Sequence, residues 1–413
     1  MTQLRFCLLT TFYPPFNFGG DGIDVQRIAR ALVRRGHQVT VIHDVDAYQW
    51  LSGSRLPSQP VMQDGVEVIG LRSKFGVLSS LLTHQLGRPV VHGRKIRRVI
   101  RDRKFDVLVF NNVSLVGGPG LLLLGDDALK IYVAHEHWLV CPTHVLWRFN
   151  REPCDARMCG RCQMSYRRPP QLWRLTSAMD RGVSKVDLFL ARSEFSRMKH
   201  GQFGFRPPMQ VWPVFLPEPT AARETAVSTD RPHARPYFLF VGRLTKMKGI
   251  DAILPAFARY PDADLLIVGD GEELGPLKAL AANLPNVRFT GRVSNDEIGR
   301  YYEHAIAAIV PSQGYETFGI VLIEAFRHKT PVIARQIGPF PEIVQQSGGG
   351  LLFSTNDELI DAMTRLQQDD ALRASLVSRG FAASRERWSE DVVISQFLAL
   401  TAEALEKKRA GIR

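Results

Sequence analysis

The segment Pro311-Ser312-Gln313-Gly314-Tyr315-Glu316-Thr317-Phe318-Gly319-Ile320-Val321-Leu322-Ile323-Glu324 sets two carboxylates with seven residues between them, across what reads as a helix start. A strand ends at Val310, a loop carries Glu316, and a helix begins near Phe318 or Gly319 with Glu324 a turn or two inside it. The backbone N–H groups of Phe318, Gly319 and Ile320 then form an anion site at the helix N-terminus. Glu316 and Glu324 flank that site and would repel a phosphate, so they need other partners. Carboxylates accept from neighbouring hydroxyls, and the hydroxyls of a sugar and of a ribose suit them. An acid-enriched helix start, favoured by the helix dipole, explains Glu316 but not the whole string.

A second element supplies the opposite charge. Val241-Gly242-Arg243-Leu244-Thr245-Lys246-Met247-Lys248-Gly249 follows a strand and precedes a helix. Arg243 offers a fork of donors and Lys248 a point charge, a pairing suited to a diphosphate. Taken alone, the same segment is an ordinary polar loop. Leu266-Ile267-Val268-Gly269-Asp270-Gly271 is a third strand that ends in a glycine-flanked turn. Gly19-Gly20-Asp21-Gly22, with Asp44 further on, has the look of a dinucleotide fingerprint. Eight residues, Thr11 to Phe18, separate it from its strand, and that fingerprint needs its glycines at the strand end.

These loops need strands to hold them. In the first half, apolar runs at Leu4–Thr10, Val39–His43, Val66–Leu71, Val107–Phe110, Ile131–Ala134 and Leu188–Ala191 alternate with helical spacing, such as Val25, Ile28, Ala29 and Leu32 before Gly36. Prolines 213, 217, 219, 232 and 236 mark a stretch with little periodicity. Strands then resume at Tyr237–Val241, Leu265–Val268, Val287–Phe289, Ile306–Val310 and Val332–Ala334, followed by helices from Asp357 to Lys408. The alternation predicts two doubly wound parallel sheets facing a cleft. The expected divisions are a first domain over 1–215, a linker over 216–236, a second domain over 237–390 and a C-terminal helix over 391–413.

Composition narrows the class. The 413 residues exceed one ordinary core, and 45% hydrophobic with 23% charged residues is globular rather than disordered. No run is long and apolar enough to span a bilayer, and the first residues lack a signal-peptide pattern, so a cytosolic protein is expected. Residues 1–215 hold 30 of the 53 Lys and Arg but 16 of the 41 Asp and Glu, a net +14; the remainder nets −2. The excess on one half points to an anionic partner there, or to a merely solvated basic face. Its densest run is His92 to Lys104, a basic helix. Cys141, Cys154, Cys159 and Cys162 end in C-x2-C. Structural zinc, reduced thiols and a labile disulfide all fit these thiols.

With Glu316 and Glu324 at this spacing, and Gly242-Arg243 and Lys248-Gly249 ahead of them, the chain resembles the retaining glycosyltransferases of family 4, over nearly its full length. The resemblance implies an α/β fold of the GT-B type. It also implies that Arg243 and Lys248 bind the donor diphosphate, that Glu316 lies beside the transferred sugar, and that Glu324 bonds the ribose. Arg292-Val293 matches the loop beside the nucleobase. Gly19 and Gly20 match a turn that brings backbone near phosphates and acceptor. His135-Glu136-His137-Trp138 matches a strand end with an active-site histidine, His135, although His137 stands where tyrosine is usual. Some of these transferases carry similar cysteines.

The implied reaction moves a sugar from a nucleotide diphosphate sugar to a glycan or lipid-linked acceptor, as in bacterial surface polysaccharide assembly. No cofactor is required for it. Attack comes on the same face with the leaving phosphate taking the acceptor proton, or by double displacement through Glu316. An anionic membrane surface is a candidate partner, with peripheral docking at the inner membrane face, and no nucleic-acid partner is expected. Two rivals are a sugar-nucleotide epimerase of the same fold and a non-catalytic membrane or nucleic-acid binder. The second leaves the Glu and Arg/Lys pairs unexplained.

Overall fold

The computed structural model describes residues 3–53, 57, 62–217, 231–294 and 296–411; of the expected linker, residues 218–230 lie outside the described residues. The first sheet comprises β1 (Arg5–Leu9), β2 (Gln38–Asp44), β3 (Met62–Gln63), β4 (Val66–Leu71), β5 (Val107–Phe110), β6 (Leu129–Ala134), β9 (Leu188–Ala191) and β10 (Met209–Val211). Between β6 and β9 lies a small separate hairpin, β7 (Trp147–Arg148) with β8 (Glu152–Pro153). The large sheet runs β10-β9-β6-β5-β1-β2-β4-β3, and only the β3–β4 pairing at its edge is antiparallel. Near its centre, β5 is apolar throughout because both faces of the sheet are covered. Val107 and Val109 of β5 enter one core, and Leu108 and Phe110 enter the other.

The second sheet is wholly parallel: β11 (Tyr237–Val241), β12 (Asp264–Val268), β13 (Val287–Gly291), β14 (Ala308–Val310), β15 (Val332–Arg335) and β16 (Gly350–Phe353). Its order is β13-β12-β11-β14-β15-β16, so the winding reverses between β11 and β14. The first sheet reverses between β1 and β5 in the same way. Crevices at the carboxyl ends of such strands are where ligands bind in open α/β sheets. The loops that carry Arg243, Lys248 and Glu316 leave β11 and β14 at that point.

The chain crosses between the sheets twice, side by side, where Leu216 and Ser389 form a parallel bridge. After the second crossing, the helix Glu390–Arg409 lies on the first domain. Val393, Ile394, Phe397 and Leu398 join the core of β1 and β2, and the Trp212 indole donates to the Val393 carbonyl at 2.8 Å. Arg34 and Arg35 clamp the buried carboxylate of Glu390 from the opposite helix. Among the described residues, no helix is long and apolar enough to cross a membrane.

Candidate functional site

Three loops of the second domain touch backbone to backbone, and glycines permit it. Gly249 ends the 3-10 turn Lys246–Lys248 with φ +68°, and a Cβ there would lie 2.4 Å from the Pro311 carbonyl oxygen. A Cβ on Gly269 would lie 1.8 Å from the Gly242 carbonyl oxygen. No larger residue fits either contact. The packing brings Lys248 Nζ to 2.7 Å from Glu316 Oε1, and Ser312 Oγ donates to the same oxygen at 2.7 Å. The expected phosphate-binding cation and the expected sugar-binding carboxylate are thus a direct pair, with side chains 22% and 18% exposed. Arg243 is exposed, and while its carbonyl accepts from the Thr245 amide at 3.0 Å, its side chain makes no hydrogen bond or ion pair among the described residues.

The helix after this loop runs Ile320–Arg327, a residue or two later than expected, with Gly319 as its N-cap. Phe318 is in the core, which anchors the turn while the first N–H groups of the helix lack carbonyl partners four residues back. Glu324 projects from the helix toward the first domain, and its carboxylate lies 3.9 Å from the Arg27 guanidinium. Burial pushes the Glu324 carboxyl above its ordinary range, with Arg27 pulling the other way. Arg292 lies mostly in solvent, 3.4 Å from Asp270, while Val293 packs on the second-domain core.

Across the cleft, Gly19 caps the helix Gly20–Arg34, and Gly19 and Gly20 are exposed. A Cβ on Gly20 meets nothing within 4 Å, so the space in front of it is open. At the end of β6, His135 turns inward. Its Nε2 lies 2.9 Å from Asn111 Oδ1, its Nδ1 lies 3.3 Å from Asp24 Oδ2, and the side chain is only 4% exposed. Asp24 is also paired with the buried Arg192, whose guanidinium stacks 4.4 Å over Trp212. Burial works to raise the Asp24 carboxyl, but Arg192 and His135 outweigh it and hold it below the usual range. Both ring nitrogens of His135 therefore face side-chain oxygens inside the protein. His137 is buried against His200, 5.3 Å between rings, and does not face the cleft.

The two domains lock together at this level. Thr317 Oγ1 donates to the His135 carbonyl at 2.9 Å, and Ser193 Oγ donates to the Thr317 carbonyl at 2.7 Å. The Glu342 carboxylate accepts from the amides of Glu194 and Phe195, at 3.1 Å each, capping the helix Glu194–Gln202 from the other domain. A carboxylate at a helix N-terminus is stabilised by the dipole, so this is a favourable clasp.

Known proteins can be set against this geometry. Residues 18–217 match the model of Glycosyltransferase Family 4, and residues 222–382 match Glycosyl transferases group 1. An uncharacterized glycosyltransferase of Methanocaldococcus jannaschii is 31% identical over 98% of this chain and 99% of its own. This chain belongs to glycosyltransferase family 4. Its GT-B fold is shared by the sucrose-phosphate synthase of Thermosynechococcus elongatus, 20% identical over 97% of this chain and 99% of that one, with a TM-score of 0.73. Anabaena HepE, solved in complex with UDP-glucose, is 18% identical over 98% of this chain and 100% of its own, with a TM-score of 0.64.

Several residues of the transferase's cleft escaped sequence reasoning. Asp24, Asn111, Arg192, Ser193 and Glu342 are scattered polar residues without motif spacing, and only the fold brings them together. Asp24 and Arg192 did carry a weak signal, as charges within apolar stretches. A buried trio, Asp44, Asp46 and His92, is accounted for internally. Asp44 accepts from Ala47 N–H at 3.0 Å, and Asp46 accepts from Ser73 and lies 3.0 Å from His92 Nε2. The four clustered cysteines are all free, and they surround one small cavity.

Proposed function

We propose that this glycosyltransferase takes its sugar from a nucleotide diphosphate sugar and transfers it with retention of configuration. The Lys248–Glu316 pair at the N-terminus of the helix Ile320–Arg327 carries the reading. Breaking the anomeric C–O bond builds positive charge on the sugar and negative charge on the departing diphosphate. Lys248, the unpartnered Arg243 and the helix amides surround the place for that negative charge, in a partly desolvated cleft where such groups act most strongly. Glu316 stands where it can accept from a sugar hydroxyl, and Glu324 where it can accept from a ribose. The charge is met by side chains and amides, so the transfer as we read it requires no cofactor. His135 is a positioning residue: its ring is clamped, and its carbonyl holds Thr317 beside Glu316. Anabaena HepE in complex with UDP-glucose supports a nucleotide-sugar donor on this fold.

The acceptor is a glycan or lipid-linked sugar of bacterial surface polysaccharide assembly, met at the inner membrane face. The first domain supports this. Its helix Gly93–Arg103 buries Ile96 and Ile100 and exposes Arg94, Lys95, Arg97, Arg98 and Arg101. Phe75 and Leu175 of the same domain are 62% and 88% exposed. Basic and apolar groups together suit an anionic lipid surface. Calorimetric titration with UDP-, GDP- and ADP-sugars tests the donor assignment. One nucleotide sugar should bind, and Arg243→Ala should weaken it about tenfold or more, as loss of a charge-assisted contact requires. No binding across the panel, or unchanged affinity in Arg243→Ala, would refute it.

A further inference from the structure

The cysteine segment has a structural consequence that the donor cleft alone does not explain. Cys141, Cys154 and Cys162 are 7%, 9% and 8% exposed, and Cys159 is partly exposed. All four line a single cavity of about 20 Å³, with Trp147 and Arg148 also on its wall. That volume holds one water-sized sphere, which suits a single ion. The backbone around it is held in an unfavourable form. His144, Leu146, Phe149 and Asn150 all have positive φ, half of the non-glycine residues that do so among those described. Such residues persist only where the surroundings over-determine them. The Phe149 amide donates to Cys162 Sγ at 3.4 Å, a contact that orients a sulfur ligand. The same segment reaches the second domain. Asp155, next to Cys154, accepts from the Tyr315 hydroxyl at 2.7 Å and from Lys199 Nζ at 3.3 Å. Lys199 Nζ also sits 4.2 Å over the Tyr315 ring, and Tyr315 immediately precedes Glu316.

We infer that Cys141, Cys154, Cys159 and Cys162 bind one zinc ion, and that the zinc-braced loop positions the Glu316 loop through Asp155 and Tyr315. Four soft thiolates in a closed tetrahedral set select zinc. Binding displaces the four thiol protons to solvent, and Arg148 offsets part of the charge left on the site. Among the described residues, Asp44, Asp46 and His92 are the one group of three or more candidate ligands with ligand atoms within 4.8 Å of one another, so zinc binding requires the thiol side chains to shift from their present contacts toward a common centre. Tyr315 is then a positioning residue that ties a metal-held element of one domain to the donor loop of the other. The metal assignment stands independently of the donor reading, and only the consequence for transfer rests on it.

The full chain, purified without chelator, should carry one equivalent of zinc by elemental analysis and show no visible iron–sulfur absorbance. Cys159→Ser with Cys162→Ser should lose the metal. Hydrogen-exchange mass spectrometry of peptides covering residues 311–319 reads the coupling without any substrate. Zinc removal should speed exchange there about tenfold, as expected on loss of a hydrogen bond to a charged acceptor. Tyr315→Phe should give the same acceleration while keeping its zinc. Substoichiometric zinc or bound iron in folded protein overturns the metal site. Unchanged exchange over 311–319 in both zinc-free protein and Tyr315→Phe overturns the coupling.

Discussion

Replacing Glu316 by Gln should tighten the binding of free nucleoside diphosphate while slowing sugar transfer. In the structure, Lys248 spends its charge on Glu316 at 2.7 Å, and Ser312 donates to the same oxygen. A diphosphate that takes Lys248 must compete with that carboxylate. A charge-assisted hydrogen bond is worth about 1.5–3 kcal/mol, and solvent screening at this exposure reduces the share that counts to roughly 1 kcal/mol. Gln keeps the shape and can still accept from Ser312, but it no longer holds the lysine as an ion pair. The released lysine should lower the dissociation constant for nucleoside diphosphate about fivefold, at 1.4 kcal/mol per factor of ten. Transfer should fall because the sugar hydroxyl loses its charged acceptor. Calorimetric titration of both proteins with UDP, alongside initial rates at saturating donor, measures the two effects. Weaker or unchanged UDP binding in Glu316→Gln would refute the competition, whatever the rate does.

Three further perturbations probe other parts of the molecule. Glu324→Ala should raise the dissociation constant for UDP about tenfold, the opposite direction to Glu316→Gln; tighter or equal UDP binding would remove Glu324 from the ribose role. Burial raises the Asp44 carboxyl to about 7, against the bonds from Ala47 and the nearby His92. The folded state therefore keeps a proton that the unfolded chain loses near pH 4, and stability falls as pH rises from about 4 to 7. Asp44→Asn keeps a capping oxygen for Ala47 and should stabilise the protein at pH 8 by a few kcal/mol at most, with little gain at pH 4; a gain that does not change with pH would contradict this. Protein with Arg94, Lys95, Arg97 and Arg98 all changed to Gln should lose salt-sensitive sedimentation with anionic vesicles, since each cation near such a surface contributes about 1 kcal/mol. Equal sedimentation with neutral and anionic vesicles would end the membrane-surface proposal.

The strands that carry the site were legible because parallel strands covered on both faces must be continuous apolar runs. β5 and β11 are such runs, and β1 appears where Leu4–Thr10 was expected. The edge strand Gly350–Phe353 was not legible, because the glycines from 348 to 350 read as a loop, and only pairing with β15 extends that backbone. The segment after Arg243 was expected to lead directly into a helix. It instead makes a 3-10 turn, and Leu254–Ala258 is the first α-helix beyond it, because Gly249 ends the turn against Pro311.

The sequence by itself determined the two-sheet architecture and the chemical types at the donor cleft. Apolar periodicity dictates which backbone segments must be buried, and residue type fixes what each side chain can donate or accept. Which groups meet was decided only by the tertiary structure. Lys248 and Glu316 are 68 residues apart in the chain, and Thr317 and His135 are 182 apart. Loop closure across such distances depends on strand order, on glycines thin enough for backbones to touch, and on the second crossing of the chain at Ser389. The inward turn of His135 has the same origin. Its strand-end position is a local property, but the acceptors that claim both ring nitrogens come from β5's end and from the helix Gly20–Arg34, which no local pattern connects.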